Sequence, residues 1–180
     1  MRKSLVLFFA AAMMLPIGVI TAQPAGAAPI ITCLHAKGTF KFTPPLPITG
    51  PGVKSTLTSS GSVYGCTGKG GASGHTSFKS NPPTTKSSCA TLAHPSATGT
   101  KGTLTIKWVN GKTSVAKGFV VKQQSDLVDA TTTGKITSGA FVGKLIKGVV
   151  RFTLNKGACS TKPASGGTYV NKKGTKFTVG

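Results

Sequence analysis

Acid is almost missing from this sequence. Its 180 residues include two carboxylates, Asp126 and Asp129, against 22 Lys and Arg, and Glu does not occur. That shortage removes whole classes of site. Calcium takes six to eight oxygens, which two aspartates supply only with much help from carbonyls and water. The four cysteines contain no CxxC spacing, which disfavours zinc. No G-x-S-x-G elbow places a nucleophilic serine. No P-loop or GxGxxG opens a helix, and "GKGG" (68–71) lacks the helix that would hold a phosphate. Long stretches with apolar residues at helical spacing are missing too. No cofactor or metal is expected.

The two aspartates sit together in "SDLVDA" (125–130), so one acid–base reading survives. Paired carboxylates roughly 5–9.5 Å apart can hydrolyse glycosidic bonds. Against it, the segment is polar, has no aromatic platform nearby, and Asp is a natural loop residue because its side chain bonds the adjacent backbone. Among so many lysines each aspartate is expected to pair with a cation and keep a lowered pKa, which suits an ion pair and not a general acid. A Ser-His-Asp triad would need Asp126, a serine and one of His35, His75 or His94, and each histidine reads as a loop or strand-end residue.

What is present begins with a leader. Arg2 and Lys3 precede an apolar run from Leu5 to Leu15, and Ala25-Gly26-Ala27 supplies small residues for cleavage. Residues 1–27 read as a signal peptide and 28–180 as one secreted domain. Pro16 and Gly18 break the apolar run, and no other stretch approaches the ~20 apolar residues of a membrane span. Without the leader the chain keeps 20 bases against two acids, a formal charge of +18, and Arg151 is the only arginine among them. In an oxidising compartment Cys33, Cys66, Cys89 and Cys159 are expected to form disulfides, for which three pairings exist.

Period-2 alternation is frequent. Phe40 and Phe42 share a face, as do Leu104, Ile106 and Trp108, then Val150, Phe152 and Leu154, then Phe177 and Val179, with Thr, Lys or Arg between. This predicts an all-β antiparallel sandwich or barrel of short strands. Asn110-Gly111 predicts a two-residue type I′ hairpin turn. Thr43 to Pro51 and Asn81 to Pro83 read as loops because proline cannot donate to a ladder. "LPITG" (46–50) matches a wall-sorting signal but stands far from the C-terminus, so it reads as a proline-rich turn. Trp108 is expected in the core.

Two halves share an ordered set of fragments: Cys33, "GTFKF", "GC", "SGHT", and then Cys89, "GTLTIKW", "GAC", "SGGT". A duplication would favour the pairing Cys33–Cys66 and Cys89–Cys159. The stretch "GKITSGAFVGKLIKGVVRF" (134–152), with "GCTGKGG" and the strand ending in Trp108, resembles a group of small secreted actinobacterial proteins rich in Gly, Ser and Thr with similarly placed cysteines. That resemblance implies an exported all-β domain and brings no activity with it.

Charge remains the strongest functional signal. Lysines fall on nearly every segment, where they suit anionic envelope polymers or acidic glycans as mobile point charges. Nucleic acid is disfavoured: sequence readers use Arg forks and single-strand binders use exposed aromatics. The expected function is a non-enzymatic secreted β domain that associates with anionic polymers. The competing readings are a carbohydrate-acting hydrolase using Asp126 and Asp129, and a cationic membrane-active or antimicrobial protein.

Overall fold

The structure, a computed structural model, describes residues 30–68, 73–84, 86–92, 94, 98–126 and 128–180. The signal peptide expected at 1–27, its expected cleavage site and the centre of the Gly-rich stretch (69–72) lie outside the described residues.

Ten strands and one short helix follow in order: β1 (Ile31–Leu46), β2 (Thr56–Gly68), β3 (Ser73–Ser80), α1 (Cys89–Leu92), β4 (Thr100–Trp108), β5 (Thr113–Gln123), β6 (Asp129–Lys135), β7 (Ser138–Gly139), β8 (Leu145–Leu154), β9 (Ala164–Asn171) and β10 (Phe177–Val179). Every pairing between these strands is antiparallel. The ladder runs β1-β2-β3-β4-β5-β6-β8-β9, and β9 returns to β1, so eight staves close a barrel. The two remaining strands are attached to it. β7 adds to the lower part of β5, and β10 continues the line of β9 between β1 and β8 after a break at 172–176. Closure leaves no open edge among the eight staves in the described residues, which matters for a domain made almost wholly of strands.

The alternation seen in the sequence becomes the two sides of the barrel wall. Phe40, Leu57, Val63, Phe78, Leu104, Ile106, Phe119, Ile146, Val150 and Phe177 are buried inside. The polar residues between them face out. This is the inverse of a transmembrane barrel, whose lipid-facing band is apolar. Among the described residues no helix is long and apolar enough to cross a membrane.

Trp108 lies in the core at 3% exposure. Its Nε1 donates to Ser114 Oγ at 2.9 Å, and Ser114 Oγ donates to the Ala140 carbonyl at 2.6 Å, so the indole N–H is satisfied. Phe141 meets the indole edge-on, with ring centroids 5.7 Å apart.

Three local expectations are corrected. The hairpin after Trp108 has three loop residues, not two. The Gly111 N–H donates to the Trp108 carbonyl and the Trp108 N–H donates to the Lys112 carbonyl. Gly111 has φ +79° whereas Asn110 is not among the positive-φ residues. That is the pattern of a G1-bulge loop, in which only the glycine needs the left-handed region. Second, β1 does not stop at Thr43. It runs to Leu46, and Pro44 and Pro45 sit where the pairing to β9 jumps from Lys41–Gly166 to Leu46–Ala164. A bulge admits proline because the ladder is already broken there. Third, the fragments shared by the two halves do not recur in space. "GC" (65–66) ends the strand next to "GTFKF", whereas "GAC" (157–159) follows four further strands after "GTLTIKW".

The disulfides nonetheless pair Cys33 with Cys66 and Cys89 with Cys159. The first staples facing residues of β1 and β2. The second ties α1 to the β8–β9 connection. Around it the Cys89 N–H donates to the Pro47 carbonyl, and Gln123 Nε2 donates to the Leu92 carbonyl. These contacts close one end of the barrel. "LPITG" lies in the same end, with Leu46 fully buried and Gly50 at φ +83° in a turn.

Candidate functional site

Asp126 and Asp129 come together, but in a closed cluster. Asp129 opens β6 directly opposite Arg151 of β8. Arg151 donates from Nε to Oδ1 at 2.8 Å and from a terminal nitrogen to Oδ2 at 3.1 Å. Lys172, just past β9, places Nζ 2.7 Å from Asp129 Oδ2 and 3.8 Å from Asp126 Oδ2. Asp126 Oδ1 accepts from the N–H groups of Asp129 (2.9 Å) and Val128 (3.3 Å), which fixes the turn leading into β6. The Asp129 side chain is fully buried beneath its two cations. Hydrogen bonds from Arg151, then from Lys172, hold its carboxyl well below the usual carboxylate range and outweigh the opposing effect of burial. In return, the bond to Asp129 raises the pKa of both Arg151 and Lys172. Asp129 therefore stays ionised at neutral pH and has no proton to give to a leaving group.

The histidines do not join this cluster. His35 stacks on Tyr64 at 4.8 Å, and His75 Nδ1 lies 3.4 Å from Ser62 Oγ. His94 is exposed beyond α1. All four cysteines are consumed by the bridges. Among the described residues no group of three His, Cys, Asp or Glu is placed to hold a metal.

The lysines resolve into a pattern on the outer face of β1 to β5. Strand pairing sets three rows across these five strands. The first is Lys41, Thr58, Lys79, Thr103, Lys117, and the last is Lys37, Ser62, His75, Lys107, Thr113. Between them runs Thr39, Ser60, Ser77, Thr105, Val115. Five ammonium groups thus stand among eight Ser and Thr hydroxyls with no carboxylate in any row. Neighbouring lysines are about 10 Å apart across two strands and about 13 Å apart along one. The sequence showed that lysines alternate with apolar residues, but only the register shows which of them align.

The barrel interior holds the second feature. A cavity of about 70 Å³ lies in the lumen, with every stave contributing to its wall. It persists because the aromatic side chains lie over glycines of neighbouring strands. A Cβ on Gly102 would strike the Phe78 ring, one on Gly134 would strike Phe119, and one on Gly167 would strike Phe40. Gly38 and Gly61 leave room in the same way for the Tyr169 hydroxyl, which reaches from β9 past β1 and β2 to Thr76 of β3 at 3.3 Å. Burial raises the Tyr169 pKa, so the hydroxyl keeps its proton. The inward glycines were visible in the sequence as strand-interior glycines, a sign of close approach. Their aromatic partners on other strands were not.

No family model matches this chain, and neither a curated protein nor a solved structure matches it.

Proposed function

We propose that this chain is a secreted, non-enzymatic β-barrel that associates with anionic envelope polymers or acidic glycans through the outer face of β1 to β5. The single observation that carries this reading is the three-row array of lysines and hydroxyls with no acid among them. Ammonium groups about 10 Å apart repel one another within one Debye length at 0.1 M salt. A phosphate- or sulfate-bearing chain relieves that repulsion, and the intervening Ser and Thr hydroxyls can donate to its oxygens. Export agrees with the leader at 1–27 and with two disulfides, which persist in oxidising compartments. Hydrolysis by Asp126 and Asp129 is the weaker reading because Arg151 and Lys172 occupy the carboxylate that would have to act.

Retention on immobilised heparin and on isolated cell envelope tests the proposal. The protein should bind at about 0.05 M NaCl and be released well before about 1 M, because exposed charge is screened over that range. A variant K41Q/K79Q/K107Q should elute at clearly lower salt than K135Q/K147Q/K162Q, which loses the same charge elsewhere. Absence of retention at low salt would overturn the function, and equal elution of the two variants would overturn the face.

A further inference from the structure

We propose that the barrel lumen is a binding site for one small, mostly apolar molecule of about phenol size that carries a single hydrogen-bonding group. An eight-stranded barrel is at the size where side chains either fill the interior or leave space for one small ligand. Here they leave space, because Phe40, Phe78 and Phe119 lie over glycines of the wall. About 70 Å³ is several times the ~10–15 Å³ that one water needs and about half the ~150 Å³ of a cavity that holds benzene, so a phenol-sized ligand fills the space and extends through its open side. The wall is dominated by Phe, Leu and Val, so water gains little there, and an apolar body gains contact with the walls.

The polar group has a place to go. Tyr169, Thr76 and Ser59 all line the cavity. The Tyr169 hydroxyl bonds Ser59 as well as Thr76, the latter at a long 3.3 Å, and with one donor and two acceptor sites it retains one site for a ligand. The site thus combines a partly open volume with apolar walls and a half-buried, protonated phenol at one side. Size selects a small molecule over a long acyl chain, and the hydroxyl pair selects a ligand with one alcohol or carbonyl over a pure hydrocarbon. This inference does not depend on the lysine face.

The test uses 4-fluorophenol observed by fluorine NMR, with 4-fluorotoluene as its apolar counterpart, added to the oxidised protein. One equivalent of 4-fluorophenol should bind saturably, and 4-fluorotoluene more weakly. Tyr169→Phe should weaken 4-fluorophenol about three- to tenfold, the scale of one hydrogen bond, and leave 4-fluorotoluene unchanged. Leu104→Phe should abolish both by filling the lumen, and Ala36→Leu serves the same purpose if the first variant fails to fold. Salt at about 0.5 M, which screens the outer lysines, should not alter binding. No saturable binding to the wild type, or binding retained by a folded lumen-filled variant, would overturn the proposal. Equal losses of both probes in Tyr169→Phe would overturn the role of the hydroxyl. Competition by a long-chain fatty acid at lower concentration than 4-fluorophenol would overturn the ligand size.

Discussion

The two sides of this barrel treat charge in opposite ways. Along β6, β8 and β9, both carboxylates of the chain are gathered with Arg151 and Lys172 into one hydrogen-bonded cluster. On β1 to β5, five lysines stand among hydroxyls with no counter-charge in their rows. The difference is a matter of burial. Asp129 has lost its water and must be compensated by fixed partners. The outer lysines keep theirs, so the fold does not require a partner for them. A charge that stabilises the fold is therefore found in the first region, and charge open to an external ligand in the second.

That contrast can be broken at several points. The yardstick is the core both regions share: Trp108→Ala should cost about 3–5 kcal/mol in chemical denaturation, with the wild type giving blue-shifted fluorescence little quenched by iodide. A red-shifted, readily quenched indole would refute the buried placement. Next, Asp129→Asn should lower the thermal midpoint far more than any single Lys→Gln change on β1 to β5, because it leaves two cations crowded over a carboxamide. A midpoint like that of the wild type would mean the cluster adds nothing. Differential scanning calorimetry decides this.

The acid cluster also fixes a pH dependence. The native Asp129 pKa lies below its ordinary value, so its contribution is fully present above about pH 4–5 and is lost as pH falls toward the native value. The native Lys172 pKa lies above its ordinary value, so its contribution is fully present below about pH 9–10 and is lost as pH rises through the native value. Asp129→Asn should flatten both limbs of the stability–pH curve, and unchanged limbs would assign them to other groups. The smallest effect belongs to the open face. Single changes such as Lys79→Gln or Lys107→Gln should alter unfolding free energy by no more than about 0.5 kcal/mol. A larger loss would mean that these lysines stabilise the barrel and do not stand free.

Much of the wall was legible one strand at a time. "GTFKF", "GTLTIKW" and "VRFTL" (150–154) alternate with period 2, and each lies in a strand with its apolar residues turned inward. The turn at Asn110-Gly111 was located correctly, but its loop length was not, because Gly111 alone takes the left-handed conformation and Val109 joins the loop. Pro44 and Pro45 were misplaced because a bulge that tolerates them depends on β9, far along the chain. The pairing of Asp with a cation was foreseen from composition. Which cations would do it was not, since Arg151 reaches Asp129 only after β6 and β8 align.

The sequence by itself determined that strands with one apolar and one basic, hydroxyl-rich face would form, and that carboxylates would be too few to neutralise the lysines. Both follow from local composition and a two-residue repeat, which need no knowledge of neighbours. Only the tertiary structure decided that the sheet closes between β1 and β9, that Lys41, Lys79 and Lys117 fall in one row, and that Tyr169 lies over Gly38 and Gly61. These depend on register between distant segments, and a shift of one residue would turn every side chain of a strand to the opposite face.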